Sequence, residues 1–166
     1  MNPSLEYEHL PPENILIRPV TEADEAFLRH LYQVTRYDEF AAAGLDDRHL
    51  SQLLAIQFRA HQTGHRSMFP TADFSLILRD SAPVGRLTVH RGADEWRVVD
   101  IALLPAHRGK GIGGKVLAGV QREARQAGKV LRLNVRHDNP AARLYARLGF
   151  QRTGANEIDV SMEWQP

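Results

Sequence analysis

The sequence predicts an α+β domain in which helices flank one mixed sheet. Three observations predict it. In the first two-thirds of the chain, short β-period runs separated by turn clusters lie on either side of a long, loosely helical stretch. A glycine-rich loop then opens a helix with a single apolar stripe. A strand, a second capped helix and two more short strands follow.

The elements run in order. The chain has 166 residues, 43% hydrophobic and 25% charged, which suits one domain with a real core. Met1 to Asn14 is polar, holds Pro3, Pro11 and Pro12, and lacks the apolar stretch of a secretory signal. It reads as a flexible lead-in (1–14) to a single domain over residues 15–166. Ile15-Leu16-Ile17-Arg18 is a first strand, stopped by Pro19. Thr21 then serves as an N-cap with Asp24 three residues on, ahead of Phe27, Leu28, Leu31 and Val34 at helical spacing. From Tyr32 to Arg66 the pattern is helical but loose, with Gly44 and Gly64 as breaks. Phe74 to Arg79 and Val84 to His90 are hairpin strands joined by the turn chemistry of Asp80-Ser81-Ala82-Pro83. Arg91-Gly92-Ala93-Asp94 turns the chain into a strand from Trp96 to Leu104, ended by Pro105.

Beyond the loop, Ile112, Val116, Val120 and Ala124 recur every four residues, giving a helix with one buried stripe that Gly128 ends. Val130 to Val135 is a strand. Asn139 is the N-cap of the next helix, with Pro140 at its first position; Gly149 closes it, and Phe150 folds back onto Tyr145. Strands near Phe150–Thr153 and Glu157–Trp164 complete the sheet.

Composition excludes several classes of function. A formal net charge of +1 gives no general nucleic-acid binder. Without cysteine there is no disulfide, thiolate metal site or cysteine nucleophile, a usage compatible with the cytoplasm. No apolar run approaches the roughly 20 residues of a membrane span. The eight histidines show no ligand spacing, so no metal is expected.

The chemistry concentrates between Val98 and Gly114, where a strand feeds a glycine loop and the loop feeds a helix. Glycines let backbone amides approach an anion, and the helix N-terminus adds partial positive charge. His107, Arg108, Lys110 and Lys115 add cationic groups, so the segment reads as a phosphate site. Three motifs compete for it. Gly109 through Gly114 fits the dinucleotide pattern G-x-G-x-x-G, but Pro105 to Arg108 separate it from its strand and it lies late in the chain. Gly109 through Lys115 comes close to a P-loop, but Val116 stands where a hydroxyl would hold magnesium. The third pattern is Arg-x-x-Gly-x-Gly, filled by Arg108, Gly111 and Gly113.

That third pattern resembles the pyrophosphate loop of the GNAT superfamily of N-acetyltransferases. The run from Asn139 to Phe150 matches that family's second signature through Asn139, Ala142, Tyr145 and Gly149-Phe150. The opening Ile17-Arg18-Pro19 with its following helix also looks like the family's first strand. The resemblance spans about Ile15 to Trp164 and is weak between Tyr32 and Arg66. It implies a mostly antiparallel mixed sheet with a splayed central parallel strand pair. It implies acetyl-CoA as cosubstrate, direct attack by a primary amine in a ternary complex, and no metal.

The resemblance also assigns roles. Backbone groups of Ile101, Ala102 and Leu103 would pair with the pantetheine arm. Arg108, Gly109, Lys110, Gly111, Ile112, Gly113 and Gly114 would hold the pyrophosphate. Asn139 and Ala142 would line the cofactor, and Tyr145 would protonate the departing thiolate. The general base is open. Some relatives carry Glu where this chain has Asn134, which cannot accept a proton at useful pH. Asp100 is the first candidate, with a structural pairing to an arginine as its alternative; His137 is the second. Tyr32, Tyr37, Asp38, Glu39 and Phe40 could line an acceptor site for a small-molecule or peptide amine. The alternation of Ile158, Val160, Met162 and Trp164 suggests a possible homodimer. Two other functions stay open: a non-catalytic acyl-CoA binding or sensing module, and a nicotinamide-dependent enzyme.

Overall fold

The computed structural model describes residues 14–41 and 44–166, the side chains of Asp38 and Ala41 excepted. The expected lead-in therefore lies outside the described residues except for Asn14. That residue already joins the sheet, because its carbonyl accepts the Asp80 amide at 3.0 Å. Among the described residues, seven strands form one sheet in the order β1-β2-β3-β4-β5-β7-β6. They are β1 (Ile15–Pro19), β2 (Asp73–Arg79), β3 (Ala82–Arg91), β4 (Trp96–Leu103), β5 (Leu131–Arg136), β6 (Gln151–Ala155) and β7 (Asp159–Trp164). Every neighbouring pair is antiparallel except β4 and β5. The helices are α1 (Glu25–Ala41), α2 (Asp47–Met68), α3 (Ile112–Gln126) and α4 (Ala141–Arg147).

Local chemistry sets most boundaries as the sequence implies. The Thr21 amide and hydroxyl both donate to the Asp24 carboxylate, at 2.8 and 3.0 Å, and Arg18 grips the same carboxylate with two bonds of 2.7 Å. The β2–β3 turn needs positive φ at both Asp80 (49°) and Ser81 (70°), the backbone of a tight hairpin. The strand resumes at once, so Ala82 and Pro83 belong to β3 rather than to the turn. Gly128 takes positive φ just after α3.

Two expectations need correction. Gly64 breaks nothing: α2 runs through it, and open space surrounds the position where its side chain would sit. Only Gly44, at φ +72°, lies between helices. Pro140, not Asn139, holds the capping position of α4 by backbone angle, at φ −63° and ψ −15°. The Asn139 side chain still performs the cap, accepting the Ala141 amide at 2.9 Å.

The sheet has a core on each face. On one, Ile112, Val116, Leu117, Val120 and Ala124 of α3 pack on Leu87, Val98, Leu131 and Leu133. Each fully buried aliphatic side chain there contributes about 1.5–3 kcal/mol. On the other, Leu28 and Tyr32 of α1 and Leu50, Leu54 and Phe58 of α2 cover Leu76 and Leu78. The apolar face of β7 is used inside the chain, since Met162 and Trp164 lie in the first core. Of the alternation that suggested a homodimer, Val160, Met162 and Trp164 pack within the chain, whereas Ile158 is 64% exposed.

The feature that makes a site is a break between β4 and β5. Their parallel pairing covers only Trp96↔Leu131, Arg97↔Arg132 and Val98↔Leu133. A bulge follows, where the β3–β4 register slips from Val89↔Val98 to Thr88↔Asp100 and leaves Val99 extra. From there β4 stays on β3 and β5 stays on β7, so the sheet opens like a V. Gly85 makes the β3 side of this opening possible. A side chain there would overlap the Ala102 carbonyl oxygen and come within 2.7 Å of Leu103 Cδ2. We expect Gly85→Ala to cost about 1–3 kcal/mol, the usual range for overpacking. Urea unfolding checks this, and an unchanged midpoint would refute the close approach.

Candidate acyl-transfer site

The site grows from the open end of the V. Past Val98, the β5-facing edge of β4 carries the backbone groups of Ile101, Ala102 and Leu103 with no strand beside them among the described residues. Ile101 and Leu103 pack toward α3, while Asp100 points to the opposite face, where Arg86 meets it. A short 3-10 turn, Pro105–His107, links β4 to the glycine loop. The Arg108 side chain bonds back to the Leu103 carbonyl at 3.1 Å and ties the loop to the strand end.

Gly109 and Gly111 adopt φ of +70° and +80°, so glycine is required by backbone conformation at both. Gly111 caps α3, which begins at the buried Ile112. The Lys115 amide already bonds to the Gly111 carbonyl at 3.0 Å, whereas the first-turn amides of Ile112, Gly113 and Gly114 precede the helical ladder. Gly113 and Gly114 lie against Leu144 of α4: added side-chain carbons would sit 3.4 and 3.6 Å from its methyls. The Nδ1 atom of His107, beside this loop, is buried without a hydrogen-bond partner among the described residues. A bare strand edge leading to open amides and positive φ fits the long anionic cosubstrate that the sequence motifs suggest.

The α4 segment brings the second signature to the same region. Asn139 and Ala142 begin it, and Tyr145 is buried at 6% exposure with its ring edge-on to Phe150, 5.9 Å between centroids. Burial first, and then the negative charge of Asp100, push the Tyr145 hydroxyl up to about 12. The hydroxyl stays protonated at any physiological pH.

The candidate bases are placed differently from what the sequence suggests. Burial resists ionisation of Asp100, but the charge and hydrogen bond of Arg86 prevail and hold the carboxyl below the usual carboxylate range. The structural partnership is therefore real, and a free Asp100 base is not what the geometry offers. His137 is exposed and has Nε2 2.7 Å from the Asn156 carbonyl, tying β5 to the β6–β7 turn. Asn134 pairs with Ser161. Among the acceptor candidates, Tyr32 is core, 2% exposed and in ring contact with Phe58. Phe40 packs at the edge of the same core. The Tyr37 hydroxyl reaches Asp47 at 3.4 Å, and Glu39 pairs with Arg36 and Arg136. The Asp38 side chain lies outside those described.

Sequence reasoning missed His61 and His65, one turn apart on α2. Each offers a nitrogen toward the Asp100 carboxylate, and the three ligand-type atoms lie within 4.8 Å of one another. The signal available was their i, i+4 spacing, continuing the buried stripe of Leu50, Leu54 and Phe58.

A parallel strand pair that parts over a glycine loop, with a buried tyrosine on the helix packed against that loop, is the arrangement the sequence resemblance implies for an acyl-CoA-dependent transferase. Comparison with known proteins gives the family. Residues 70–152, half of the chain, match the acetyltransferase (GNAT) domain, and the protein belongs to this family. A sequence relative is the [Ribosomal protein bS18]-alanine N-acetyltransferase of Haemophilus influenzae, 34% identical over 91 residues. That match spans 54% of this chain and 59% of the relative's own length. The fold is similar to the PaiA N-acetyltransferase of Thermoplasma acidophilum, solved with coenzyme A, at TM-score 0.71 and 18% identity over 92% of this chain and 99% of that one. It is also similar to an acetyltransferase from Thermus thermophilus, at TM-score 0.67 and 21% identity over 92% and 97%. No helix among the described residues is long and apolar enough to cross a membrane.

Proposed function

We propose that this chain moves the acetyl group of acetyl-CoA to a primary amine by direct attack in a ternary complex. The observation that carries the reading is the bare β4 edge beyond Val98, running toward the glycine loop. Backbone groups of Ile101, Ala102 and Leu103 pair with the pantetheine arm as a missing strand would. Amides from Gly109 to Gly114 hold the pyrophosphate, assisted by Lys110 and the loop-anchoring Arg108. Asn139, whose Oδ1 is spent on its cap, presents its amide nitrogen to the cofactor, and Ala142 borders the same channel. Backbone donors of this kind are preorganised, so little entropy is lost when the ligand docks. Tyr145 supplies the proton to the leaving thiolate.

The site works in a single domain over residues 15–166 and, in keeping with the absence of cysteine, in the cytoplasm. The acceptor to try first is a peptide with an N-terminal alanine, because the bS18-alanine enzyme is the sequence relative. A non-catalytic acyl-CoA sensor is the second reading. It is favoured by Asn134 and by the engagement of Asp100 with Arg86.

Ligand-induced stabilisation tests the cofactor. Acetyl-CoA at about a hundred times its Kd stabilises the fold by about 2.7 kcal/mol, which is a clear rise in Tm. NAD and ATP leave Tm unchanged. A rise with NAD alone would refute the acyltransferase reading. Free-thiol release with the alanine peptide then separates enzyme from sensor.

A further inference from the structure

Between α2 and the β2–β4 part of the sheet lies a small cavity bounded in part by Phe58, His61, His65, Arg86, Thr88 and Asp100. The centres of water molecules can occupy about 40 Å³ of it, space enough for an ordered water among polar partners. Its polar wall is a cluster that the reaction as described does not use. The Arg86 and Asp100 side chains are 13% and 19% exposed and bonded to each other. The His61 and His65 rings touch at a tilt of 54° with centroids 4.1 Å apart, and His61 also lies against Tyr32 at 5.3 Å. Asp100 immediately precedes Ile101, on the face of β4 turned away from α3. The cluster thus flanks the strand that the thioester would lie along.

We propose that His65, backed by Asp100 and His61, accepts the proton that the amine loses on acetylation, an inference that rests on the transfer function proposed above. Asp100 is then a positioning residue. Its charge steadies the imidazolium that forms, while Arg86 keeps the carboxyl from taking the proton itself. The two histidines are not equivalent. Burial, with Arg86 next, pushes His61 down to about 4, so it stays neutral and orients its neighbour. Burial also lowers His65, but the Asp100 charge opposes that shift, and His65 is the less enclosed ring. The charged groups acting on this pair come from every packed element. They are Arg36 on α1 and His65 within α2, both acting on His61, and Arg86 on β3 and Asp100 on β4, acting on both rings; the Asp100 field also reaches Tyr145 on α4.

The step balances. The nitrogen lone pair of a neutral amine forms the N–C bond to the thioester carbonyl carbon, and the C=O π pair moves to oxygen. The now cationic nitrogen gives one proton, directly or through a water in the cavity, to His65. The oxyanion collapses, the C–S bond breaks with its electron pair on sulfur, and the thiolate takes the Tyr145 proton. Proton exchange with solvent returns imidazolium and phenolate to their starting forms, leaving amide and coenzyme A thiol.

The test follows kcat/KM against pH by free-thiol release, with acetyl-CoA and either an N-terminal-alanine peptide or hydroxylamine, which is small enough to need no acceptor pocket. The wild-type protein should lose activity as pH falls through the His65 pKa, below the usual histidine range. His65→Gln should lose the enzyme's part of that acid limb, leaving only the fall from protonation of the amine itself, and about a hundredfold in kcat/KM at neutral pH, the scale for a positioned base. Acetyl-CoA affinity should be unchanged, and His30→Gln, on the exposed side of α1, should behave as wild type. Removing the Asp100 charge lowers both histidines further, so Asp100→Asn should move the acid limb, and the His65 ring resonance read by NMR, to lower pH. An unaltered profile in folded His65→Gln, or an unmoved His65 resonance in Asp100→Asn, overturns the base and leaves acetyl transfer standing. Activity lost to a chelator and restored by zinc would also overturn it, by making the cluster a cation site; the Arg86 charge argues against that. Wild-type protein that turns over neither amine refutes the transfer function itself, and the base with it.

Discussion

Replacing Tyr145 with Phe is expected to lower turnover by roughly a hundredfold or more, the usual scale for losing a positioned acid. The substitution is close to a single-atom change in its surroundings. The ring stays 5.9 Å from Phe150 in the same edge-on contact, within the core that holds α3, so the fold should not notice. Only the hydroxyl goes. Burial and the Asp100 charge keep that hydroxyl protonated to about pH 12, which suits a donor that must never be found as phenolate at the start of a turnover. A donor in the proposed role acts only when charge builds on sulfur, so acetyl-CoA affinity should stay within about twofold while kcat falls. The measurement is kcat and cofactor Kd for both proteins with one working amine. Equal turnover would make Tyr145 a packing residue, and lost affinity with preserved turnover would make it a binding residue.

The second large effect is expected at Gly113, where Asp should raise the Kd for acetyl-CoA roughly a hundredfold, equivalent to about 2.7 kcal/mol. An added Cβ would lie 3.4 Å from Leu144 Cδ2 and 3.9 Å from Leu103 Cδ1, both ends of flexible side chains. Gly113→Ala should therefore bind with only a modest loss. Aspartate adds a negative charge in the first turn of α3, where the pyrophosphate would dock. The helix tolerates that charge in the free protein, so the variant should fold. Titration calorimetry with acetyl-CoA on both variants separates bulk from charge. An unchanged Kd in folded Gly113→Asp would place the pyrophosphate elsewhere.

Much of this site was legible because its signals are local. The loop depends on glycines that the backbone requires at Gly109 and Gly111, and the stripe Ile112, Val116, Val120, Ala124 repeats with the helix. Asn139, Tyr145 and Phe150 fall within one short helix and its exit. What stayed hidden is relational. The bulge at Val99 depends on how β3 and β4 register, which no single strand records. Arg86 and Asp100 are fourteen positions apart, and only the hairpin shows that each neutralises the other. His61 and His65 were spaced for one helix face, but Gly64 between them read as a break. It lies where nothing packs, so α2 continues past it at only a small cost.

The strand order carries a consequence for how the molecule is made. β7 lies between β5 and β6, although both precede it in the chain, and β6 has no other neighbour in the sheet among the described residues. As synthesis proceeds, β6 emerges with both edges bare until Asp159–Trp164 arrives and slots in. The same insertion brings the Trp164 ring over Gly149, 3.5 Å from where a side chain would start, and buries Met162 against the first core. Helix α3 can form early on local contacts, held later to the end of α4 by the Gln121 bond to the Leu148 carbonyl at 2.9 Å. The turn that carries Tyr145 and Phe150 gains its cover only with the final strand. Pairing of β7 with β5 joins segments separated by α4 and β6, a non-local contact of the kind that slows folding and lengthens exposure to wrong partners.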